Sequence, residues 1–249
     1  MTPTAVSVMA SWMPLSPLSA SPSAACRLAD EAALAWSERF SPPLRVSVRV
    51  TTIEAQEFSA RLARKSIAYN GVVDRFTVLE GDLRDAAVLD RACADGLFDL
   101  VTGSPPYWPV GAALAAAHPQ AVPARLEVRG DVSDYARAAV RALAPGGAFV
   151  CVHQASQHAR VLAALQGAGL SVIRTQAAQF KAGVPAEESG LRLYIAHKSD
   201  DVPHTLRAGP VDEPPLVIRD ARGQTPAAYA ALRISFGFPP GNVPPGDPA

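Results

Sequence analysis

The sequence predicts an α/β protein: a doubly wound, mostly parallel sheet with one antiparallel edge strand. Three observations carry this. Strand-period and helix-period segments alternate from Leu44 to Ala168, the arrangement that builds parallel sheets with helices on their faces. Two short runs, Phe98-Asp99-Leu100-Val101 and Ala148-Phe149-Val150-Cys151-Val152, are apolar enough for strands covered on both sides. Finally, Leu170 to Thr175 and Leu191 to Ala196 form a closing strand pair whose joining loop contains Gly183 to Gly190, which predicts the antiparallel edge.

In chain order, residues 1 to 26 are rich in Ser, Pro and Ala, carry no charged side chain, and are expected to be disordered. Arg27 to Phe40 spaces Leu28, Ala32, Trp36 and Phe40 four apart, a helix ended by Ser41-Pro42-Pro43. Leu44, Val46, Val48 and Val50 then alternate with polar residues in a strand that closes on Ile53 and Glu54. Gln56 to Asn70 reads as an amphipathic helix, with Phe58, Leu62 and Ile67 or Leu62, Ser66 and Tyr69 along its apolar side and Asn70-Gly71 as its cap. Arg75 to Glu80 is a strand, Ala86 to Ala94 a short helix, and Phe98 to Thr102 a strand again. Asp131 caps a helix on which Val132, Tyr135, Ala136, Ala139, Val140 and Leu143 recur at the helical period. After the strand ending at Val152, His158 to Ala168 is helical. The main domain therefore runs from 27 to 198. A Pro-rich extension, 199 to 249, promises structure only at Leu216 to Ile218 and Pro226 to Ile234.

Composition narrows the function. Lys plus Arg and Asp plus Glu number 23 each, so no global positive field invites a long nucleic-acid contact. Cys26, Cys93 and Cys151 lack metal-ligand spacing and suit a reducing compartment, and no metal is expected. No apolar run is long enough for a membrane span and no secretory signal opens the chain, so a cytoplasmic protein without membrane contact is expected.

The chemistry concentrates at strand ends. Gly103 is expected to free the backbone at the end of the Phe98 strand, and Ser104-Pro105-Pro106-Tyr107 then forms a stiff corner, because each proline locks φ at about −65°. A hydroxyl and an aromatic ring on such a corner suit a flat polar substrate beyond the strand ends, although an ordinary Pro-rich turn with Tyr107 packed inward is the plainer reading. Glu54 ends one strand where a carboxylate can accept bonds from ribose hydroxyls, and Asp82 follows the next, where it can accept from an adenine amino group. Taken singly, each also reads as a solvated loop residue or a helix cap. Arg61, Arg64 and Lys65 read as a solvated helix face, His153 as a structural histidine, and Val110 to Gly130 as a substrate lid.

Together these features resemble the class I S-adenosylmethionine-dependent methyltransferases, with their Rossmann-like fold, in the branch that methylates amino nitrogens through an Asn/Asp/Ser-Pro-Pro-Tyr/Phe loop. Ile53-Glu54-Ala55-Gln56, Ala63 to Gly71, Glu80-Gly81-Asp82-Leu83-Arg84, Pro123 to Glu127 and Pro215 to Ile218 are most similar to bacterial tRNA adenine-N6 methyltransferases. The resemblance implies S-adenosylmethionine as cofactor, held by Glu54, Ala55, Asp82 and Leu83. It implies that Ser104, Pro105, Pro106 and Tyr107 hold the amine of an RNA substrate; cytosine-N4 methylation and glutamine-N5 methylation of a protein use similar loops.

Two departures stand beside it. Ser104 occupies a position where that family carries Asn. The Gly-rich strand-loop expected upstream is degenerate or absent, since no glycine precedes Gly71, and this predicts feeble cofactor binding. The departure is read as a misread start of the chain or as a true loss, ahead of an unusual loop that serves in its place; after a true loss the chain is a cofactor-deficient, methyltransferase-like binding module. A dehydrogenase is disfavoured because no Gly-x-Gly-x-x-Gly precedes Glu54.

Overall fold

A computed structural model describes residues 48–111, 122–206 and 209–243. The readings of 1 to 26 and Arg27 to Phe40, and part of the Val110 to Gly130 lid, lie outside these residues. Among the described residues there are seven strands: β1 (Val50–Glu54), β2 (Phe76–Glu80), β3 (Phe98–Gly103), β4 (Leu143–Gln154), β5 (Leu170–Gln179), β6 (Leu191–Lys198) and β7 (Val211–Val217). The helices are α1 (Glu57–Tyr69), α2 (Ala86–Ala92), α3 (Val122–Arg125), α4 (Val132–Ala142), α5 (His158–Gly167), α6 (Ala186–Ser189) and α7 (Ala227–Ser235).

Among the described residues the strands form two sheets. β1 and β2 pair in parallel from Val50↔Phe76 to Glu54↔Glu80. The other five follow the order β3-β4-β6-β5-β7, with β3–β4 and β5–β7 parallel and β6 antiparallel to both of its neighbours. The antiparallel strand, expected at an edge, is therefore internal. β7 takes the edge by adding in parallel to β5, and Asp212 on β7 accepts bonds from Thr175 (2.7 Å) and from the buried Arg192 (2.5 Å). Partial local signals at Leu216 to Ile218 conceal this pairing, because strand order is a tertiary property.

One apolar core spans both sheets. Ile53 on β1 and Val88 and Leu89 on α2 join Phe98, Val101, Phe149, Cys151 and Tyr194 of the larger sheet, together with the buried faces of α4 and α5. Ile53 of β1 and Val101 of β3 thus belong to one core. α4 starts from a capping box, in which the Asp131 carboxylate accepts the N–H groups of Ser133 and Asp134 while Asp134 accepts that of Asp131. Val132, Tyr135, Ala136 and Ala139 are buried as the helical period predicts, together with Ala138 and Ala142, whereas Val140 is half-buried and Leu143, expected in the helix, opens β4.

Two local readings are corrected. On α1 the buried residues are Ala60 and Ala63, while Phe58, Leu62 and Tyr69 are exposed; two small side chains let the helix axis lie close to its sheet. Gly103 adopts no left-handed backbone. Instead, a Cβ there would lie 2.8 Å from Tyr135 Cδ1, so glycine makes room for α4. No helix among the described residues is long and apolar enough to cross a membrane.

Candidate active site

At the end of β3, Pro105 and Pro106 are buried and Ser104 and Tyr107 half-buried, with Ser104 Oγ and Tyr107 OH 3.4 Å apart. Local stiffness from the prolines is reinforced from outside the corner. Gln157 Nε2 donates to the Tyr107 carbonyl at 2.5 Å, and Arg160 Nη1 holds Gln157 Oε1 at 2.8 Å and Glu127 Oε1 at 2.6 Å. Glu127, by accepting this bond, holds the Arg160 guanidinium above its already high range. The Trp108 N–H donates to the Arg125 carbonyl (3.1 Å) and the Glu127 N–H to the Trp108 carbonyl (2.9 Å). The chain leaving the corner is thereby stitched to the segment that enters α4.

His153 supports the ring from beneath. Its centroid lies 5.0 Å from that of Tyr107, tilted by 59°, and the side chain is fully buried. Burial, aided by the Arg160 charge, pushes its pKa down to about 4, and the nearby backbone of Gln154 and Pro106 offsets only part of this. The imidazole is therefore neutral at pH 7. It is a packing group under Tyr107.

The second rim lies at the ends of β1 and β2. Glu54 is 5% exposed, and its Oε1 accepts the Gln56 N–H at 2.8 Å, at the start of α1. The Gly81 N–H donates to the Glu54 carbonyl at 3.0 Å, so Glu54 and Asp82 come from adjacent chain ends. Asp82 is gripped by Arg84: Oδ1 accepts from Arg84 Nε (2.9 Å) and N–H (2.9 Å), and Oδ2 from Nη2 (2.6 Å). That pairing holds the Asp82 carboxyl below the usual carboxylate range. Both oxygens already accept from Arg84, which limits Asp82 as an adenine partner.

A cavity of about 370 Å³ opens on this rim, lined by Ala55, Glu80, Gly81, Asp82 and Arg129. The half-buried Leu83 packs against the core behind it. A second, largely apolar cavity of about 280 Å³ is lined by Thr102, Gly103, Ser104, Val150, Val152 and Leu193, among others, beside the Ser-Pro-Pro-Tyr corner.

Glu54, Ala55 and Asp82 thus share one rim and Ser104 to Tyr107 another, on separate sheets. Arg129, absent from the sequence reading, bridges toward the first rim: its Nη1 donates to the Ala55 carbonyl at 2.5 Å. Its only signal in the sequence is a cation among the irregular residues before Asp131. Of the basic residues on α1, Arg61 lies over the Phe58 ring and Arg64 pairs with Glu80, so they are engaged within the protein.

The corner offers acceptors and a flat ring, and its one imidazole is locked neutral and buried. Such a set can orient an amine; it holds no base tuned near pH 7. Among the described residues no group of three His, Cys, Asp or Glu side chains is arranged to hold a metal.

No family model matches the chain. It is 33% identical over 129 residues to a 4-amino-L-phenylalanine/4-methylamino-L-phenylalanine methyltransferase of Streptomyces pristinaespiralis, an alignment covering 49% of this chain and 41% of that protein. The chain thus matches less than half the length of that relative. By structure it is similar to a protein of Agrobacterium tumefaciens described as a predicted O-methyltransferase, with a TM-score of 0.56, 19% identity, and coverage of 93% of this chain and 89% of the other. The second likeness concerns the fold: a Rossmann-like α/β architecture dominated by parallel strands.

Proposed function

We propose that this chain is an S-adenosylmethionine-dependent N-methyltransferase whose acceptor is an amino group on a flat ring, best represented by a small arylamine of the 4-aminophenylalanine kind. The observation that carries the reading is the clamped Ser-Pro-Pro-Tyr corner at the end of β3, joined to Ala55 beside Glu54 by the segment in which Glu127 bonds Trp108 and Arg129 bonds Ala55. The amine named for the Streptomyces relative supports the acceptor class. Adenine N6 in tRNA is the second reading, favoured by the sequence similarity around Glu54 and Asp82. A balanced charge favours the small acceptor over it.

The residues present fit the nucleoside half of the cofactor. Glu54 would accept bonds from the ribose hydroxyls, and the cavity between Ala55 and Asp82 would take the base. When bound, the cofactor supplies an activated methyl group on a sulfonium. Ser104 Oγ and the Pro105 carbonyl would accept hydrogen bonds from the substrate N–H groups, leaving the nitrogen lone pair free to point away from the corner. Tyr107, backed by His153 and held through its carbonyl by Gln157, would stack on the acceptor ring. Catalysis would rest on positioning, which can lower a barrier by about 7–11 kcal/mol when geometry is well held.

The test uses cofactor labelled in its methyl group, at millimolar concentration, with 4-amino-L-phenylalanine in one reaction and bulk tRNA in another. Label is expected in the amino acid and lost in Tyr107→Ala. Label confined to tRNA would establish the second reading, and label in neither would leave the cofactor-deficient binding module standing.

A further inference from the structure

We infer that Arg129 is a nucleoside-binding residue, a guanidinium wall of the cavity at the β1–β2 rim that stacks on the purine. The inference rests on the proposed cofactor and adds a residue that neither the sequence motifs nor the relatives assign.

Three separate observations converge on this side chain. First, Arg129 lines the cavity of about 370 Å³ together with Ala55, Glu80, Gly81 and Asp82. Second, the guanidinium is held by the Ala55 carbonyl at 2.5 Å, and its charge helps to keep the Asp82 carboxyl low, so it lies within electrostatic reach of that group. Third, the backbone that carries it is pinned on both sides. Upstream, Glu127 is bonded to Arg160 and, through its N–H, to Trp108. Downstream, Gly130 adopts φ +108°, a Cβ on it would lie 3.2 Å from Asp134 Oδ2, and Asp131 is locked in the capping box of α4. An exposed arginine on an anchored strap is preorganised, so little freedom is lost when a ligand arrives.

The chemistry of the other wall groups selects the ligand. Asp82 is engaged bidentately by Arg84 and can offer little to an adenine amino group. Ala55 contributes one methyl and Gly81 no side chain, so small walls leave the cavity open to a flat ring against the face of the planar guanidinium. Arginine stacks on aromatic faces where lysine presents only a point charge. The same strap touches Trp108 next to Tyr107, so a nucleoside held by Arg129 would also steady the exit of the amine corner.

Calorimetric titration of the full chain with S-adenosylhomocysteine, and separately with adenosine, tests this. Stacking predicts that Arg129→Ala weakens both ligands by about fivefold to thirtyfold, while Tyr107→Ala stays within about twofold of the native chain. Arg129→Gln, which keeps a donor for the Ala55 carbonyl, should show a similar loss and guards against a folding defect in the alanine variant. Native-like affinity in both Arg129 variants overturns the inference and leaves the proposed function intact. A loss for S-adenosylhomocysteine without a loss for adenosine also overturns it, since Arg129 would then serve the amino-acid end. Failure of the native chain to bind either ligand at millimolar concentration removes the proposed cofactor and this inference with it.

Discussion

Lowering the pH from about 7 to about 5 should destabilise the native chain by about 2 kcal/mol through His153 alone. The imidazole is fully buried, and its pKa falls from 6.5 in the unfolded chain to about 4 in the folded one. As pH drops through 6.5 the unfolded chain takes the proton first, so the folded state loses relative stability until the folded pKa is reached, and no more is lost below it. Each unit between the two values is worth about 1.4 kcal/mol, and most of the interval down to pH 5 is used. The assay is urea unfolding at the two pH values for the native chain and for His153→Asn, each compared with itself so that packing losses cancel. Other shifted groups do not confuse the comparison: Asp82 and Asp212 have lowered pKa values and lose stability only as pH falls below 3.8, outside the window, and His158 is common to both proteins. His153→Asn should therefore lose about 2 kcal/mol less than the native chain over this interval. Parallel pH dependences would refute the picture of a neutral, desolvated imidazole under Tyr107.

Other consequences can be checked by simple substitutions. Asp131→Ala removes the capping box of α4 and an ion-pair partner of Arg160. A loss of about 1 kcal/mol, or about 2–4 °C in thermal unfolding, is expected. Gly103→Ala would drive a methyl against Tyr135, and overpacking of this kind costs about 1–3 kcal/mol, read by the same melt. Gln157→Ala frees the Tyr107 carbonyl and should lower methyl transfer to 4-amino-L-phenylalanine while S-adenosylhomocysteine binding, measured calorimetrically, is unchanged.

Much of this arrangement is legible in the chain because strand ends announce themselves. Alternating Val48 and Val50, then Ile53-Glu54, place a carboxylate at a strand terminus, and the prolines after Gly103 mark where β3 must stop. The Asp131 cap is equally plain, since a short acidic side chain before a helical period has few other uses. What escaped reading depends on contacts between distant segments. Ala60 and Ala63 form the buried face of α1 because the helix sits close to its sheet, and no hydropathy pattern marks that. The internal place of β6 follows from its pairing with both β4 and β5, while β7 adds beyond β5, where Asp212 accepts from Arg192 and Thr175. Arg129 belongs to a strap without helical or strand period, so its approach to Ala55, 74 residues earlier in the chain, leaves no local trace. Likewise the Arg84 grip on Asp82 turns a seemingly free acceptor into an engaged one.

The central claim is that the Glu54 rim and the Ser104 to Tyr107 corner, carried by two sheets on one core, form a single site. It is tested most directly by the crystal structure of the full chain grown with millimolar S-adenosylhomocysteine. The ribose hydroxyls are expected on the Glu54 carboxylate, the base in the cavity lined by Gly81, Asp82 and Arg129, and the sulfur turned toward Ser104 and Tyr107. A ligand seated elsewhere, or one whose sulfur faces away from that corner, would contradict it.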